Sequence, residues 1–228
     1  MRRRHVLFCL LLLLIAACCV GIWGWQMLRG DRSDVVVHID RFDRVLDEYV
    51  SLGSGTALHR MNTDYPRQTK MLIEDILELG EVEDPNVERE LRHYYLDSTV
   101  QVLLEEVHRQ YADVSDLERD FTRVFKVLKK QDPDFRPPHV YTQISCLGQS
   151  IVVSDTLLGI SLDKYLGTDF PLYQEFYTPQ QRQQMKRSDI VTDAVSTYLL
   201  ARKNRSRAKK LDFQNIGIQQ YQNVEMSR

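Results

Sequence analysis

Residues 6–28 carry no charge and are almost entirely apolar, behind Arg2, Arg3 and Arg4. At about 1.5 Å of rise per residue, a helix over this run covers roughly the 30 Å hydrocarbon core of a bilayer. Arginines before the run and none within it match the positive-inside rule, which sends the following chain to the far side of the membrane. Trp23 and Trp25 lie near the outer end, where indole rings favour the interface. This pattern predicts a signal anchor. A second reading stays open: Ile15-Ala16-Ala17-Cys18 places small residues before a cysteine, as in a lipoprotein signal whose Cys18 is lipidated and becomes the new N-terminus. A plain cleaved secretory signal is a third possibility. The first two place a tethered domain at the cell membrane, facing the periplasm.

The rest of the 228-residue chain has an ordinary globular balance, 43% hydrophobic and 27% charged. That excludes a disordered or collagen-like chain, and a single long apolar run excludes a multi-pass membrane protein. The formal net charge is −2. Residues 1–30 hold four arginines and no acid, so the remainder (26 basic, 32 acidic) is at −6. From this balance neither a nucleic-acid nor an anionic-lipid partner is expected. Beyond the leader the sole cysteine is Cys146, within a strand-like run, where it reads as a small buried hydrophobe. No internal disulfide is available to the exported part.

Three segments follow from the pattern: 1–30 as signal anchor or lipoprotein signal, 31–201 as a folded domain, and 202–228 as a basic, polar tail. Residues 35–39 are β-branched and predict a strand. A short helix runs from about Asp40 to Val50 and is broken at Gly53. Another covers about Asp64 to Leu79. Asn86 caps a long helix to about Tyr111, with Leu96, Val100, Leu103 and Val107 on one buried stripe. Ser115 and Glu118 form a capping box for the next helix, which Asp132-Pro133 ends. Residues 139–145 alternate as a strand, Leu147-Gly148-Gln149 turns the chain, and 150–153 forms a second strand. Asp155 and Thr156 cap a helix to about Leu166, closed by Gly167. Thr178-Pro179 opens a short helix and Ser188 caps the last, lined by Ile190, Val191, Ala194, Val195, Tyr198 and Leu199. The fold class is therefore α+β, mainly helical, with helices packed on a small sheet.

Signatures of chemistry are sparse. None of the six histidines belongs to an H-E-x-x-H, and C-x-x-C and the glycine-rich phosphate loops are absent. Gly159-Ile160-Ser161 begins like a nucleophile elbow, but Asp163 stands where its closing glycine would be. Asp189 and Asp193 are four apart on one helix face, and Asp155, Asp163 and Asp169 form a looser acidic set. Helix-end carboxylates favoured by the dipole account for such a pair without a ligand, and calcium needs more oxygens closer together. No cofactor, metal or catalytic set is predicted.

The segment from Ile151 to Tyr173 contains Gly159-Ile160-Ser161-Leu162-Asp163-Lys164-Tyr165-Leu166-Gly167-Thr168-Asp169-Phe170-Pro171-Leu172-Tyr173. It resembles the signature of the gliding-motility lipoprotein family, the GldB-like proteins of Bacteroidetes, G-(I/L)-x-L-D-x-Y-L-G-x-D-(F/Y)-P-x-Y. His38-Ile39-Asp40-Arg41-Phe42-Asp43 is similar to the family's opening I-x-R-F-D. The resemblance covers residues 35–200 or so and singles out Gly159, Asp163, Tyr165, Leu166, Gly167, Asp169, Pro171 and Tyr173, with no role attached. It implies an exported, membrane-anchored protein connected with gliding motility; the export segment, the motif and the lack of a catalytic set together predict a non-enzymatic protein acting through contacts with other envelope proteins. It also implies a fold distantly similar to zincin-like peptidases and, since relatives continue past the last helix, a C-terminally shortened member. The helix after Ser188 reads Asp189-Ile190-Val191-Thr192-Asp193 with no histidine, so the zinc chemistry of such a peptidase is not expected. The alternative is a metal-dependent hydrolase with acidic ligands, which predicts a cleft joining Asp163, Asp189 and Asp193.

Overall fold

The computed structural model describes residues 35–225, with side chains described through Arg207. The apolar leader and Cys18 lie outside the described residues. Among the described residues no helix is long and apolar enough to cross a membrane. The mainly helical α+β class holds. The chain runs β1 (Ile39–Asp40), α1 (Phe42–Leu52), α2 (Gly55–Thr63) and α3 (Pro66–Lys70), which continues as a π-helical turn, Met71–Ile76. Then come α4 (Val87–Tyr95), α5 (Ser98–Gln110), α6 (Ser115–Gln131), β2 (His139–Gln143), β3 (Ile151–Val153) and β4 (Leu157–Ser161). A 3-10 turn (Leu162–Lys164) leads to α7 (Pro171–Phe176) and α8 (Pro179–Arg182). A second 3-10 turn (Arg187–Asp189) leads into α9 (Ile190–Glu225).

The sheet order is β1-β2-β4-β3. β1 and β4 flank β2 in parallel, and β3 pairs with β4 antiparallel. This corrects two expectations. The segment from Leu157 to Leu166 is not a helix: its first half is the strand β4, and Leu162–Lys164 is a single 3-10 turn. All five residues of β4 are buried, so the run has no polar face from which periodicity could tell strand from helix. Nor do the strands at 139–143 and 151–153 pair with each other. β4 is inserted between them, and the tight turn at Asp155-Thr156 joins β3 to β4 instead. The strand near Val35 shrinks to Ile39–Asp40. The N–H groups of Val37 and Ile39 are taken by the Thr122 hydroxyl and the Glu118 carboxylate, both at 2.9 Å.

Two helix readings change for local reasons. The expected helix from Asn86 to Tyr111 breaks after Tyr95, because the Asp97 carboxylate accepts from the N–H groups of Thr99 and Val100 and starts a new helix. Leu96 is thereby thrown outward at 51% exposure, while Val100, Leu103 and Val107 stay buried as the stripe predicts. The Ser115/Glu118 capping box does not form. Asp113 takes the Ser115 N–H, and Glu118 reaches across to Ile39. The helix start expected at Thr178-Pro179 is present, with Pro179 at the first helical position, and Thr178 and Gln181 close it with a capping box. Ser188 does not cap α9; its hydroxyl donates to Asp189. The basic run from Arg202 continues α9 as helix through Glu225.

α9 runs antiparallel to β4. Asp193 near its start meets Tyr165, just after β4, whereas Arg205 donates to the carbonyl of Ser154, just before β4. The 3-10 turn that leads into α9 is tied to α6 by Arg187. That guanidinium grips both oxygens of Asp116 (2.9 and 2.6 Å), donates to the carbonyls of Gln110 and Asp113, and lies over the Tyr111 ring. Arg187→Ala should cost about 1–2 kcal/mol by denaturant unfolding, a figure discounted because both ion-pair partners are part-exposed. Arg187 holds the Asp116 carboxyl below its ordinary pKa. The contribution is therefore present above the unfolded carboxylate pKa and is lost as pH falls through the lower folded value. The gap between wild type and Arg187→Ala should narrow on acidification, and a gap that widened would contradict this pairing.

Candidate functional site

The motif begins in the middle of β4 and runs out past the carboxyl edge of the parallel strands. At Gly159 in β4, an added Cβ would sit 2.5 Å from the ring of Tyr141 in β2, so only glycine lets the two strands carry that ring between them. The Tyr141 ring packs edge-on against Phe42 of the opening motif. Arg41 clasps Asp43 through two hydrogen bonds, and the Thr142 hydroxyl donates to the same carboxylate. The opening motif thus ties α1 to β2.

β4 ends at Ser161, and the 3-10 turn after it buries Asp163 completely. Its Oδ1 accepts from the Ser145 N–H (2.8 Å). Its Oδ2 accepts from the Leu147 N–H (2.6 Å) and, at 3.4 Å, from the Ser145 hydroxyl. Burial pushes the carboxyl pKa up while these N–H groups pull it down. The loop so held contains two successive non-glycine residues in the left-handed region, Cys146 (φ 53°) and Leu147 (φ 66°). Such backbone costs on the order of 1–3 kcal/mol per residue and persists only where the surroundings impose it. Here they do so twice over. Lys164 donates to the Leu147 carbonyl (3.2 Å) and to the Tyr177 hydroxyl (2.6 Å), which in turn donates to the Leu147 carbonyl (2.9 Å). Burial lowers the Lys164 pKa, against the pull of Asp163.

The remaining motif residues close the same node. The Tyr173 hydroxyl donates to the Asp163 carbonyl (2.5 Å) and accepts from the Leu166 N–H (3.0 Å). The carbonyl of Tyr165 accepts from the Tyr111 hydroxyl, and that of Leu166 from the Gln110 amide. Gly167 turns the chain with φ 105°, and its N–H reaches the Met185 carbonyl. Pro171 is the first residue of α7, and Asp169 is exposed. Most of the signature is therefore internal scaffolding.

The acidic candidates do not converge. Asp155 is exposed in the β3–β4 turn, 3.3 Å from Arg205. Asp193 accepts from the Tyr165 hydroxyl (3.1 Å), and Asp189 accepts from Ser188. Burial raises the Asp193 pKa and the Tyr165 hydroxyl opposes it. The cleft joining Asp163, Asp189 and Asp193 is not formed. Among the described residues no three of His, Cys, Asp and Glu stand where they could hold a metal.

Outside the node, the strained loop forms one wall of a groove of about 530 Å³. Cys146 and Leu147 line it with Tyr94, Val100 and Leu103 from the α4–α5 elbow and Phe176 at the end of α7. Phe176 is 57% exposed, and Tyr94 and Leu96 are further apolar surface beside it. Cys146 is half-buried in a loop rather than a strand, and burial raises its thiol pKa, which keeps it protonated and weakly nucleophilic. Ser145, Leu147, Tyr177 and the helix-borne Tyr111 carry no recognisable pattern in the sequence. Each acts through a contact with a residue distant in the chain.

No curated protein matches the chain, and no solved structure does. The family described as "Gliding motility protein GldB" matches residues 28–214. That span holds the whole sheet, the Asp163 node and the groove, and the chain belongs to this GldB family of gliding-motility lipoproteins.

Proposed function

We propose that the protein is a membrane-tethered, periplasm-facing member of its family that acts without catalysis, by contacting other envelope proteins through the groove at the carboxyl edge of the sheet. One observation carries this reading: the signature's buried carboxylate is spent on holding Cys146 and Leu147 left-handed, and that loop walls an apolar groove. Strain maintained beside exposed Phe176 and Tyr94 is what a preformed docking surface requires. Exposed aromatics at a groove rim are also the residue types that dominate binding energy at interfaces.

The lipoprotein and gliding-motility character of the family supports the tether. Lipidation at Cys18 and an uncleaved transmembrane anchor both fit it. A metal-dependent hydrolase would need Asp163 free to face a substrate, whereas both its oxygens already accept backbone N–H groups.

The test is Phe176→Asp combined with Tyr94→Asp, two changes at the groove rim expected to cost about 1 kcal/mol each, with the melting temperature measured beside the phenotype. In a gliding host the double variant should reach wild-type abundance yet spread no better than the deletion strain. Unimpaired spreading would remove the groove from the function. Metal-dependent turnover of peptide or ester substrates by the purified full chain would favour the hydrolase.

A further inference from the structure

We infer that the opposite, amino edge of the sheet is a docking surface for anionic phospholipid headgroups, so that the domain stands on the bilayer with its groove pointing away. The inference rests on the tether proposed above. The chain enters the described fold at Val35, beside β1, and runs along α6 so that Val37 meets Thr122 and Ile39 meets Glu118. The direction from Ile39 back to Val35 therefore points to the C-terminal end of α6. Seven residue steps separate Leu28 from Val35, which at full stretch is about 25 Å. In the transmembrane form of the tether, an apolar run held in the bilayer up to Leu28 keeps this edge close to the membrane surface; from a lipidated Cys18 the seventeen steps to Val35 allow about 60 Å, and the charge of this edge then sets which side meets the membrane.

Basic groups gather at this edge. The last turns of α6 carry Lys126, Lys129 and Lys130, and Arg136 follows before β2. Beside them α9 brings Arg202, Lys203, Arg205 and Arg207. The carboxylates here are Asp132, Asp134 and Asp155. Asp132 is paired with Arg202 (2.9 Å) and Asp155 with Arg205 (3.3 Å). Arg136, Arg202 and Arg205 line one cleft of about 420 Å³ with Asp134 and Asp155, so a headgroup phosphate entering it would compete with Asp132 and Asp155, the two carboxylates that hold Arg202 and Arg205. The exported chain as a whole is acidic, at net −6. Eight basic groups thus face three carboxylates at the edge nearest the anchor, a local surplus of positive charge on an acidic chain, and an anionic surface would attract this edge while repelling the rest.

A second feature points the same way. Three of the most exposed aliphatic side chains sit among these charges: Val36 (65%), Val127 (49%) and Leu200 (61%). Apolar side chains interspersed with Lys and Arg are the composition of surfaces that settle into the headgroup region. The groove at Leu147 and Phe176 lies at the other end of β2 and β4, free to meet a partner.

The test reconstitutes the full chain into phosphatidylcholine vesicles, with or without phosphatidylglycerol, and follows acetylation of individual lysines by mass spectrometry. On anionic vesicles Lys203 should react several-fold more slowly than on neutral ones, while Lys186, at the groove end, reacts equally on both. The protection should vanish at 1 M salt, where the Debye length shrinks to about 3 Å. It should also vanish in Arg136→Glu/Arg207→Glu, checked for an unchanged melting temperature. Equal reactivity of Lys203 on both kinds of vesicle, with the chain floating with each, overturns the lipid surface and leaves the tether standing. A chain that floats with neither overturns the tether and the inference together. Protection of Lys203 on neutral vesicles by inorganic phosphate, matching that by phosphatidylglycerol, would mark a free-anion site and overturn the lipid assignment.

Discussion

Asp163→Asn should lower the melting temperature by roughly 10 °C, corresponding to about 3–5 kcal/mol. The native carboxylate accepts from two backbone N–H groups, one on each oxygen. An asparagine amide offers one oxygen, so either orientation leaves the Ser145 or the Leu147 N–H facing an NH2 group in a site with no solvent access. The loop then loses the contacts that hold Cys146 and Leu147 at positive φ. Amide exchange should speed up first at Ser145 and Leu147, ahead of the β2–β4 ladder. Scanning calorimetry with exchange mass spectrometry reads both effects. A melting temperature that stayed level or rose would contradict the structural role. It would instead be the behaviour of a carboxylate kept for function at the expense of stability.

Gly159→Ala should cost about 2–3 kcal/mol, far more than a solvent-facing strand glycine would. The new methyl meets the Tyr141 ring at 2.5 Å, and that ring is itself buried against Phe42, so it has little room to yield. Moving it disturbs the contact between the opening motif and the central strands. Tyr141→Phe supplies the control. The Tyr141 hydroxyl is buried without a hydrogen-bond partner among the described residues, so its removal should leave stability unchanged or raise it by up to about 1 kcal/mol. Equal stability of Gly159→Ala and wild type in urea unfolding would refute the close approach of β2 and β4.

What the sequence made legible was local. The stop of α1 at Gly53 was readable because a glycine in the left-handed region ends helices cheaply. The helix start at Thr178-Pro179 and the break at Asp132-Pro133 were readable because proline fits a first helical turn and not a helix interior. What it hid depended on distant partners. β4 has an apolar residue or a glycine at every position but its last, a pattern shared by a buried helix and a strand covered on both faces, and only pairing with β2 and β3 decides between them. Asp97 looked like one more polar residue between apolar stripe positions, yet it is the cap that splits the helix. The signature drew attention to Asp163, but its partners lie sixteen and eighteen residues upstream, in a turn whose glycine was readable but whose positive φ falls on Cys146 and Leu147 instead of on Gly148. The mean charge of the domain likewise concealed its division into a basic edge and an acidic remainder.

Both the groove's proposed exposure to envelope partners and the basic edge's contact with lipid depend on a retained, membrane-held leader. The mass of the mature N-terminus, determined on protein from the membrane fraction of its native host, reads this directly. The account predicts either an intact Met1 or a diacylated or triacylated Cys18, recovered with membranes and released only by detergent. A species lacking the whole apolar run and found free in the soluble fraction would contradict it.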